Sequence, residues 1–459
     1  MCSPTSDIAE EQLRKEMASG NVKKNKKHAK VLQRCQEALA GRKAQDKSAK
    51  VATATAEAAS KPPRGPPLRV QWAKPTVVAA KGAARPSKRA GATLSAMGGR
   101  LWLLGGADRE QRVWGDVWEF ALTKEQRRAC AADGEGSEGG EAAAVASGWR
   151  EHATGEAAAL FTPRAAHAAV AVGADALIVH GGHNPHSSNV FGDLLEMRLA
   201  AAEGGEGGAA APGAVVWRKP PTAGVAPEAR NGHTLSCDGG AVPCVYLFGG
   251  ADDEGHRNDL HVLQLGGDEW EWRNPLCTGA PPAAREMHAA TVVGRALLVH
   301  GGRGGAEGGL LDDLGVLCLR TLSWSVAPTR LSRVGHAAVL LPSSPAAPSR
   351  MLALGGFDGG AMRLDAWQLA PPAAAAANTT TSNQDGATGA PPAANQEGAA
   401  AATDASPLAS DMLVERGRSE GEPRGRFSHA ACAMGGCVFI FGGSAREEED
   451  AELVHAIVS

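Results

Sequence analysis

Long apolar runs and aromatic side chains are scarce in this chain of 459 residues. Aromatic residues make up 4% of it, and its longest apolar runs, such as Ala168–Val172, fall far short of the ~20 residues that cross a bilayer. The sequence therefore predicts no membrane-spanning helix. The first twelve residues lack an apolar core and carry three acidic side chains, so we expect no secretory signal, although an organelle transit segment stays open.

Cysteine is present in a pattern that excludes two kinds of site. The nine cysteines are odd in number and scattered, and no pair has the CxxC spacing. This argues against a disulfide framework and against structural zinc. We expect no metal and no cofactor, and a cytoplasmic or nuclear location, where thiols stay reduced.

Charge is unevenly distributed. Residues 1–90 contain 20 Lys and Arg against 7 Asp and Glu, a balance of about +13, whereas the remainder balances at about −16. A basic tail therefore precedes an acidic body.

The body is built from repeats. An apolar run that ends in Gly-Gly occurs six times, at Leu101–Gly106, Leu177–Gly182, Val245–Gly250, Leu297–Gly302, Met351–Gly356 and Val438–Gly443. Upstream of five of them lies an Arg-x-x-His signature, and in the first unit Arg89 is present but Ala92 replaces the histidine. The other five signature arginines are Arg164, Arg230, Arg285, Arg333 and Arg426.

Each unit continues past Gly-Gly with an acidic residue that opens another apolar run. These residues are Asp116, Asp193, Asp259, Asp313, Asp365 and Glu452. A fourth run in four of the units carries Trp149, Trp217, Trp272 or Trp324. Short apolar runs bounded by Gly, Pro and Asn are typical of strands, and four antiparallel strands repeated six times predict a β-propeller.

With these motifs the chain resembles the Kelch-repeat family, over residues 68–459. The resemblance implies an all-β, six-bladed propeller with four-stranded antiparallel blades. We predict a propeller over 67–459, closed by a strand at 68–74 because Val70–Pro75 reads like the Trp-bearing fourth strands. Three low-complexity inserts, 131–147, 200–213 and 370–410, are predicted to be disordered and to leave the propeller on one face.

Residues 1–66 are predicted to form a basic tail and Pro-rich linker that is disordered or partly helical. Its stretch Lys23–Lys30 fits nuclear import, contact with nucleic acid or an acidic surface, or a solvated tail. No aromatic residue is interleaved with the lysines, so we do not expect nucleic-acid binding by base stacking.

Polar residues gather on the opposite face, in the loops after Gly-Gly and between units. Arginine presents a planar fork of donors that suits carboxylates, so this set predicts a binding site for a protein or peptide, with an acidic segment as one possibility. For the signature arginines, blade packing is the competing interpretation. The candidate binding residues are Arg109, Arg230, Arg257, Arg285, Arg303, Arg333, Arg363, Arg446, Asp252 and Asp253.

Catalysis is the alternative function. Tyr246 is the only tyrosine, whereas the copper oxidases that this family resembles use several, so the sequence argues against that activity. A Kelch-type isomerase or metal-dependent lyase would draw on His183, His186, Asp252, Asp253 and His256. The sequence favours instead a monomeric interaction scaffold with no assigned catalytic residue.

Overall fold

A computed structural model describes the protein over residues 68–73, 84–110, 112–123, 126–127, 148–152, 160–187, 189–200, 214–305, 308–343, 349–370, 413–420, 423–445 and 453–458. The chain divides into two compact units, residues 1–64 and 65–459. The predicted tail 1–66, the insert 131–147, nearly all of 200–213 and 370–410, and Arg446 and Glu452 lie outside the described residues.

The second unit is all-β. Its strands, in chain order, are β1 (Arg69–Ala73), β2 (Thr93–Met97), β3 (Arg100–Leu104), β4 (Val117–Ala121), β5 (Gly148–His152), β6 (Ala168–Val172), β7 (Ala176–His180), β8 (His183–Asn184), β9 (Asn189–Val190), β10 (Leu194–Leu199), β11 (Val215–Arg218), β12 (Thr222–Gly224), β13 (Thr234–Cys237), β14 (Cys244–Asp252), β15 (Gly255–Gln264), β16 (Trp270–Arg273), β17 (Thr278–Gly279), β18 (Arg285–Glu286), β19 (Ala289–Val293), β20 (Ala296–His300), β21 (Arg303–Gly304), β22 (Gly309–Leu310), β23 (Asp313–Cys318), β24 (Ser323–Pro328), β25 (Ala337–Leu341), β26 (Arg350–Phe357), β27 (Met362–Ala370), β28 (Leu413–Arg416), β29 (Arg418–Glu420), β30 (Ala430–Met434), β31 (Cys437–Phe441) and β32 (Leu453–Val458).

Within the described residues these strands form six sheets with an antiparallel core of four strands, one for each sequence repeat. In chain order the cores are β2-β3-β4-β5, β6-β7-β10-β11, β13-β14-β15-β16, β19-β20-β23-β24, β25-β26-β27-β28 and β30-β31-β32-β1. A short fifth strand, β12, β17 or β29, adds in parallel to the outer edge of the third, fourth or sixth sheet. The predicted antiparallel four-stranded units are confirmed.

The sheets bury both faces because each packs between two others. On β3, Leu101 and Leu103 contact the core shared with the sixth sheet, whereas Trp102 and Leu104 contact the core shared with the second. Consecutive side chains of a strand thus lie on opposite faces of the sheet. This explains why the second strand of each repeat is apolar throughout.

The innermost strands are joined by a closed ring of backbone hydrogen bonds. In each repeat the residue two positions after the signature arginine donates its N–H to the carbonyl oxygen of the same residue in the preceding repeat, at 2.7 to 2.9 Å. All six have left-handed backbone with φ between 52° and 64°. The members of this central ring are Gly91, Ala166, Gly232, Met287, Gly335 and Ser428.

The first described strand completes the last sheet. β1 pairs antiparallel with β32, with Val70 opposite Val458, and parallel with β29. Trp72 is buried against a core that includes Ile440 and Val454. The two ends of the described chain therefore meet in one sheet.

The three predicted inserts fall between the third and fourth strands of their sheets. They separate β4 from β5, β10 from β11 and β27 from β28. Among the described residues, no helix is long and apolar enough to cross a membrane.

Candidate partner-binding face

The signature arginines are interior residues. Five of them are at most 1% exposed, and Arg333 is 7% exposed. The guanidinium of Arg164 donates to both carboxylate oxygens of Asp193, at 2.6 and 3.0 Å, and to the carbonyl oxygen of Gly181 at 3.1 Å. Arg89, Arg230, Arg285 and Arg333 likewise bond Asp116, Asp259, Asp313 and Asp365, at 2.6 to 3.2 Å.

These contacts correct the prediction that Arg230, Arg285 and Arg333 bind a partner. A buried guanidinium whose N–H groups already donate to a carboxylate has few donors available for an outside ligand. Each arginine instead ties the residues just ahead of the innermost strand to an acidic residue within or at the start of the third strand of its own repeat. The packing interpretation therefore holds for these three residues.

The signature histidines also stabilise the sheets. His167 Nε2 lies 2.9 Å from Thr93 Oγ1, and His288 Nε2 lies 3.0 Å from Thr234 Oγ1, each contact crossing to the preceding repeat. Burial lowers the pKa of His167 and of His288 to about 3, so both rings are neutral at physiological pH. The predicted hydrogen bonds between repeats are confirmed at these two positions.

The Gly-Gly pairs allow two stretches of backbone in the same repeat to approach closely. The second glycine has φ between 87° and 101° in all six pairs. A Cβ on Gly302 would lie 2.7 Å from the carbonyl oxygen of Glu286. The predicted structural role of these glycines follows, because only glycine combines this backbone conformation with this contact.

The tryptophans of the fourth strands pack as predicted. Trp217, Trp272 and Trp324 are buried. Trp217 stacks on Phe161 with 5.1 Å between ring centroids, and Trp149 lies between Phe120 of its own sheet and Phe441 of the sixth.

Three loop arginines, Arg109, Arg303 and Arg363, are exposed and Arg257 is half-buried. Arg257, Arg303 and Arg363 each face a carboxylate. Arg257 donates to Asp252 at 2.5 Å and to Glu254 at 2.6 Å, and Arg363 donates to Asp358 at 2.6 Å. Arg303 donates to Glu286 at 2.7 Å. Arg109 donates to Ser444 Oγ of the last repeat, at 2.7 Å.

The loops of the third and fifth repeats have the same internal design. Asp252 Oδ1 accepts the N–H groups of Glu254 and Gly255, and Asp358 Oδ1 accepts those of Gly360 and Ala361, at 2.7 to 3.1 Å. The other oxygen of each aspartate holds the arginine five positions later. These donors lower the pKa of Asp358 to about 2 although burial alone would raise it.

The pairing changes the electrostatics expected of this face. The loop of the third repeat carries Asp252, Asp253 and Glu254 against Arg257, and Asp253 is exposed. In the loops of the first and fifth repeats, the arginines are matched in number by carboxylates. The described loops therefore offer an acidic partner no excess of positive charge.

A group of side chains surrounds the central ring, and the sequence analysis missed most of its members. We call it the rim: the six residues after the signature arginines and the residues that follow Gly-Gly, which pair with them in β-bridges. The pairs are Ala90 with Ala107, Ala165 with His183, Asn231 with Ala251, Glu286 with Arg303, Val334 with Phe357, and Phe427 with Ser444. Glu286 does not recur at this position, so a search for repeats passes over it.

The residues proposed for catalysis do not assemble a metal site. His256 Nε2 lies 3.4 Å from Glu286 Oε1, and Asp252 is held by Arg257. His186 and Asp253 lie in exposed loops. In the described part of the chain, no three His, Cys, Asp or Glu side chains are grouped so as to hold a metal ion.

Sheets of this kind, repeated with the same buried Arg–Asp pairs and Gly-Gly turns, define an all-β repeat protein. The family model of the KLHDC2/KLHL20/DRC7 Kelch-repeats domain matches residues 166–401. The chain belongs to the Kelch-repeat family.

Several curated relatives share the repeats. Acyl-CoA-binding domain-containing protein 5 of Arabidopsis thaliana is 38% identical over 27% of this chain and 19% of its own length. Rab9 effector protein with kelch motifs of Mus musculus is 30% identical over 40% of this chain and 43% of its own. Host cell factor 2 of Homo sapiens is 34% identical over 25% and 16%. The chain thus spans less than half the length of each.

Proposed function

We propose that this chain is a six-bladed Kelch propeller that acts as a protein-interaction scaffold, binding a protein or peptide through the rim and the loops after Gly-Gly. The six sheets, the closed central ring and the β1–β32 pairing support the blade count. Kelch relatives with names such as Rab9 effector support an interaction role. A monomeric propeller in the cytoplasm or nucleus, with the basic tail as a second contact, is part of the same proposal.

The observation that carries the proposal is the contrast between interior and loop charges. The signature arginines are buried, and those of the first five repeats are paired with carboxylates inside the sheets. Arg257, Arg303 and Arg363, in contrast, are 31%, 53% and 49% exposed on turns fixed by hydrogen bonds. Side chains held in place before binding lose little conformational entropy when a partner arrives. Such turns suit recognition better than a chemical step, for which the described loops lack a converging set of acid, base and nucleophile.

Affinity purification with the full chain tests this function. The variant Arg257→Ala/Arg303→Ala changes two loops. Its matched control is Arg273→Ala/Arg295→Ala, since Arg273 pairs with the exposed Glu271 on the outer strand β16 and Arg295 is exposed in the turn between β19 and β20. We expect a protein from the source organism that wild type and control recover and the loop variant loses. Equal recovery by both variants, with melting temperatures unchanged, would place the contact elsewhere.

A further inference from the structure

Glu286 stands out among the rim residues because it is an ionisable side chain in an otherwise small or apolar position. The other five residues after the signature arginines are Ala90, Ala165, Asn231, Val334 and Phe427. Glu286 is 7% exposed. A carboxylate that is mostly withdrawn from water is stabilised by hydrogen-bond donors at both of its oxygens.

Only one of the two oxygens has them. Oε1 accepts Arg303 Nε at 2.7 Å and Nη2 at 2.6 Å, and His256 Nε2 lies 3.4 Å away. Oε2 lies over the central ring, 3.2 Å from where a Cβ on Gly232 would be. Among the described residues, none donates a hydrogen bond to Oε2.

The neighbours of Oε2 also present acceptors. Asn231, in the preceding repeat, uses its side-chain N–H group toward the carbonyl oxygen of Ala251 at 3.4 Å, which leaves its amide oxygen unengaged. The N–H groups of the central ring below all donate to carbonyl oxygens of other ring residues. Glu286 Oε2 and the amide oxygen of Asn231 therefore remain available as acceptors next to the central ring, which is what a cationic group needs.

The rest of the rim is apolar. Val334 and Phe357 in the fifth repeat, Phe427 in the sixth, and Ala90 and Ala107 in the first lie across the ring from the polar sector of the second to fourth repeats, with Ser444 as the exception. Phe357 and Phe427 are half-buried, so each leaves part of its ring available. One half of the rim therefore suits a cation and the other half an apolar side chain.

We infer that the rim binds a partner peptide through a lysine or arginine side chain that donates to Glu286 Oε2, with an adjacent apolar side chain against Phe357 and Phe427. This inference rests on the proposed function and specifies its partner chemistry. It replaces the acidic segment expected from the sequence, because the arginines of the third, fourth and fifth loops already face carboxylates. A charge-assisted bond to a carboxylate shielded from water is stronger than one between neutral groups.

Selection from a displayed library of random 12-residue peptides, with the full chain as bait, tests the inference. Glu286→Gln keeps the shape of the side chain and removes its charge. Glu271→Gln is the control, since Glu271 lies on the outer strand β16 and pairs with Arg273. We expect wild type and control to enrich peptides with Lys or Arg beside an apolar residue, and Glu286→Gln to lose that preference.

A thermodynamic cycle then locates the contact. The dissociation constant of an enriched, dye-labelled peptide is measured by anisotropy, with the basic residue intact or replaced by norleucine. Each single change should weaken binding at least tenfold, and the two together no more than either alone. Asn231→Asp, which adds a carboxylate beside Glu286, should lower the dissociation constant. This variant tests the inference if Glu286→Gln does not fold.

The outcomes of the selection and of the cycle distinguish this inference from the proposed peptide-binding function. Enrichment of Asp- or Glu-rich peptides, or additive effects in the cycle, would overturn the inference and leave a peptide-binding propeller. Enrichment of no peptide would overturn both.

Discussion

The backbone N–H of Gly91 donates a hydrogen bond of 2.9 Å to the carbonyl oxygen of Ser428, which joins the first repeat directly to the last. The same bond links every other adjacent pair in the central ring. The N–H of Gly443 adds a second link across this junction, to the carbonyl oxygen of Arg89 at 2.9 Å. The junction between first and last repeats is thus built like the other five.

Strand β1 should contribute strongly to stability through Trp72. Truncating a buried tryptophan to alanine removes its packing and leaves a cavity, at a cost of about 3–5 kcal/mol. We expect Trp72→Ala to lower the urea midpoint by a corresponding amount. Gln71→Ala is the matched control, because Gln71 is exposed on the same strand. Equal midpoints for the two variants would show that β1 does not hold the last sheet.

A signature arginine should behave as a packing residue. Arg285 is 0% exposed and bonds both oxygens of Asp313. Removing one member of a buried ion pair costs roughly 3–5 kcal/mol, because the other member is left uncompensated. Arg285→Ala should therefore lower the free energy of unfolding by that order in chemical denaturation.

The control for Arg285→Ala is Arg273→Ala, which breaks the exposed pair with Glu271. Exposed pairs contribute little, so its denaturation curve should overlay that of wild type. An Arg285→Ala protein as stable as wild type would return Arg285 to the list of binding candidates.

Close approach at Gly-Gly predicts a difference between two glycines that both have positive φ. Gly302 and Gly99 have φ of 95° and 69°. A Cβ on Gly302 would meet the Glu286 carbonyl oxygen at 2.7 Å, whereas a Cβ on Gly99 would meet nothing within 4 Å. Gly99→Ala should cost about 1–2 kcal/mol for its backbone conformation. Gly302→Ala should cost clearly more, measured as the fall in melting temperature, and the reverse order would contradict the steric argument.

The recurring motifs predicted the strands, but two features of the site were missed. Six copies of Gly-Gly and five of Arg-x-x-His were enough to predict the strands and the role of the histidines. The pairing of Arg285 with Asp313 was not seen, because two residues 28 positions apart show no contact until the strands between them are folded. Glu286 was missed because it occurs in one repeat only.

The charge of the loops was misjudged for a simpler reason. Arginines were counted without the carboxylates that precede them, although Asp252 and Asp358 each lie five positions ahead of an arginine. This spacing is readable in the sequence, and it indicates a hairpin whose aspartate both closes the turn and holds the arginine.

Acid should destabilise the propeller through its buried histidines. Burial lowers the pKa of His167, His180, His288 and His429 to about 3 and that of His300 to about 4, and it lowers the pKa values of His233 and His336 well below the ordinary value of a histidine. The unfolded chain binds these protons near pH 6.5 and the folded chain does not. Stability is therefore fully present above pH 6.5 and is lost as the pH falls toward 3.

One histidine is enough to measure the effect. With a folded pKa of about 3, His288 accounts for roughly 2 kcal/mol of lost stability at pH 5 relative to pH 7. His288→Gln removes this titration, so its urea midpoint should fall less steeply between pH 7 and pH 5 than that of wild type. His186→Gln, in an exposed loop, should keep the wild-type slope. Identical slopes for all three proteins would mean that His288 can be protonated in the folded state. The hydrogen bond between His288 Nε2 and Thr234 Oγ1 would then have to be described with a charged ring as its donor.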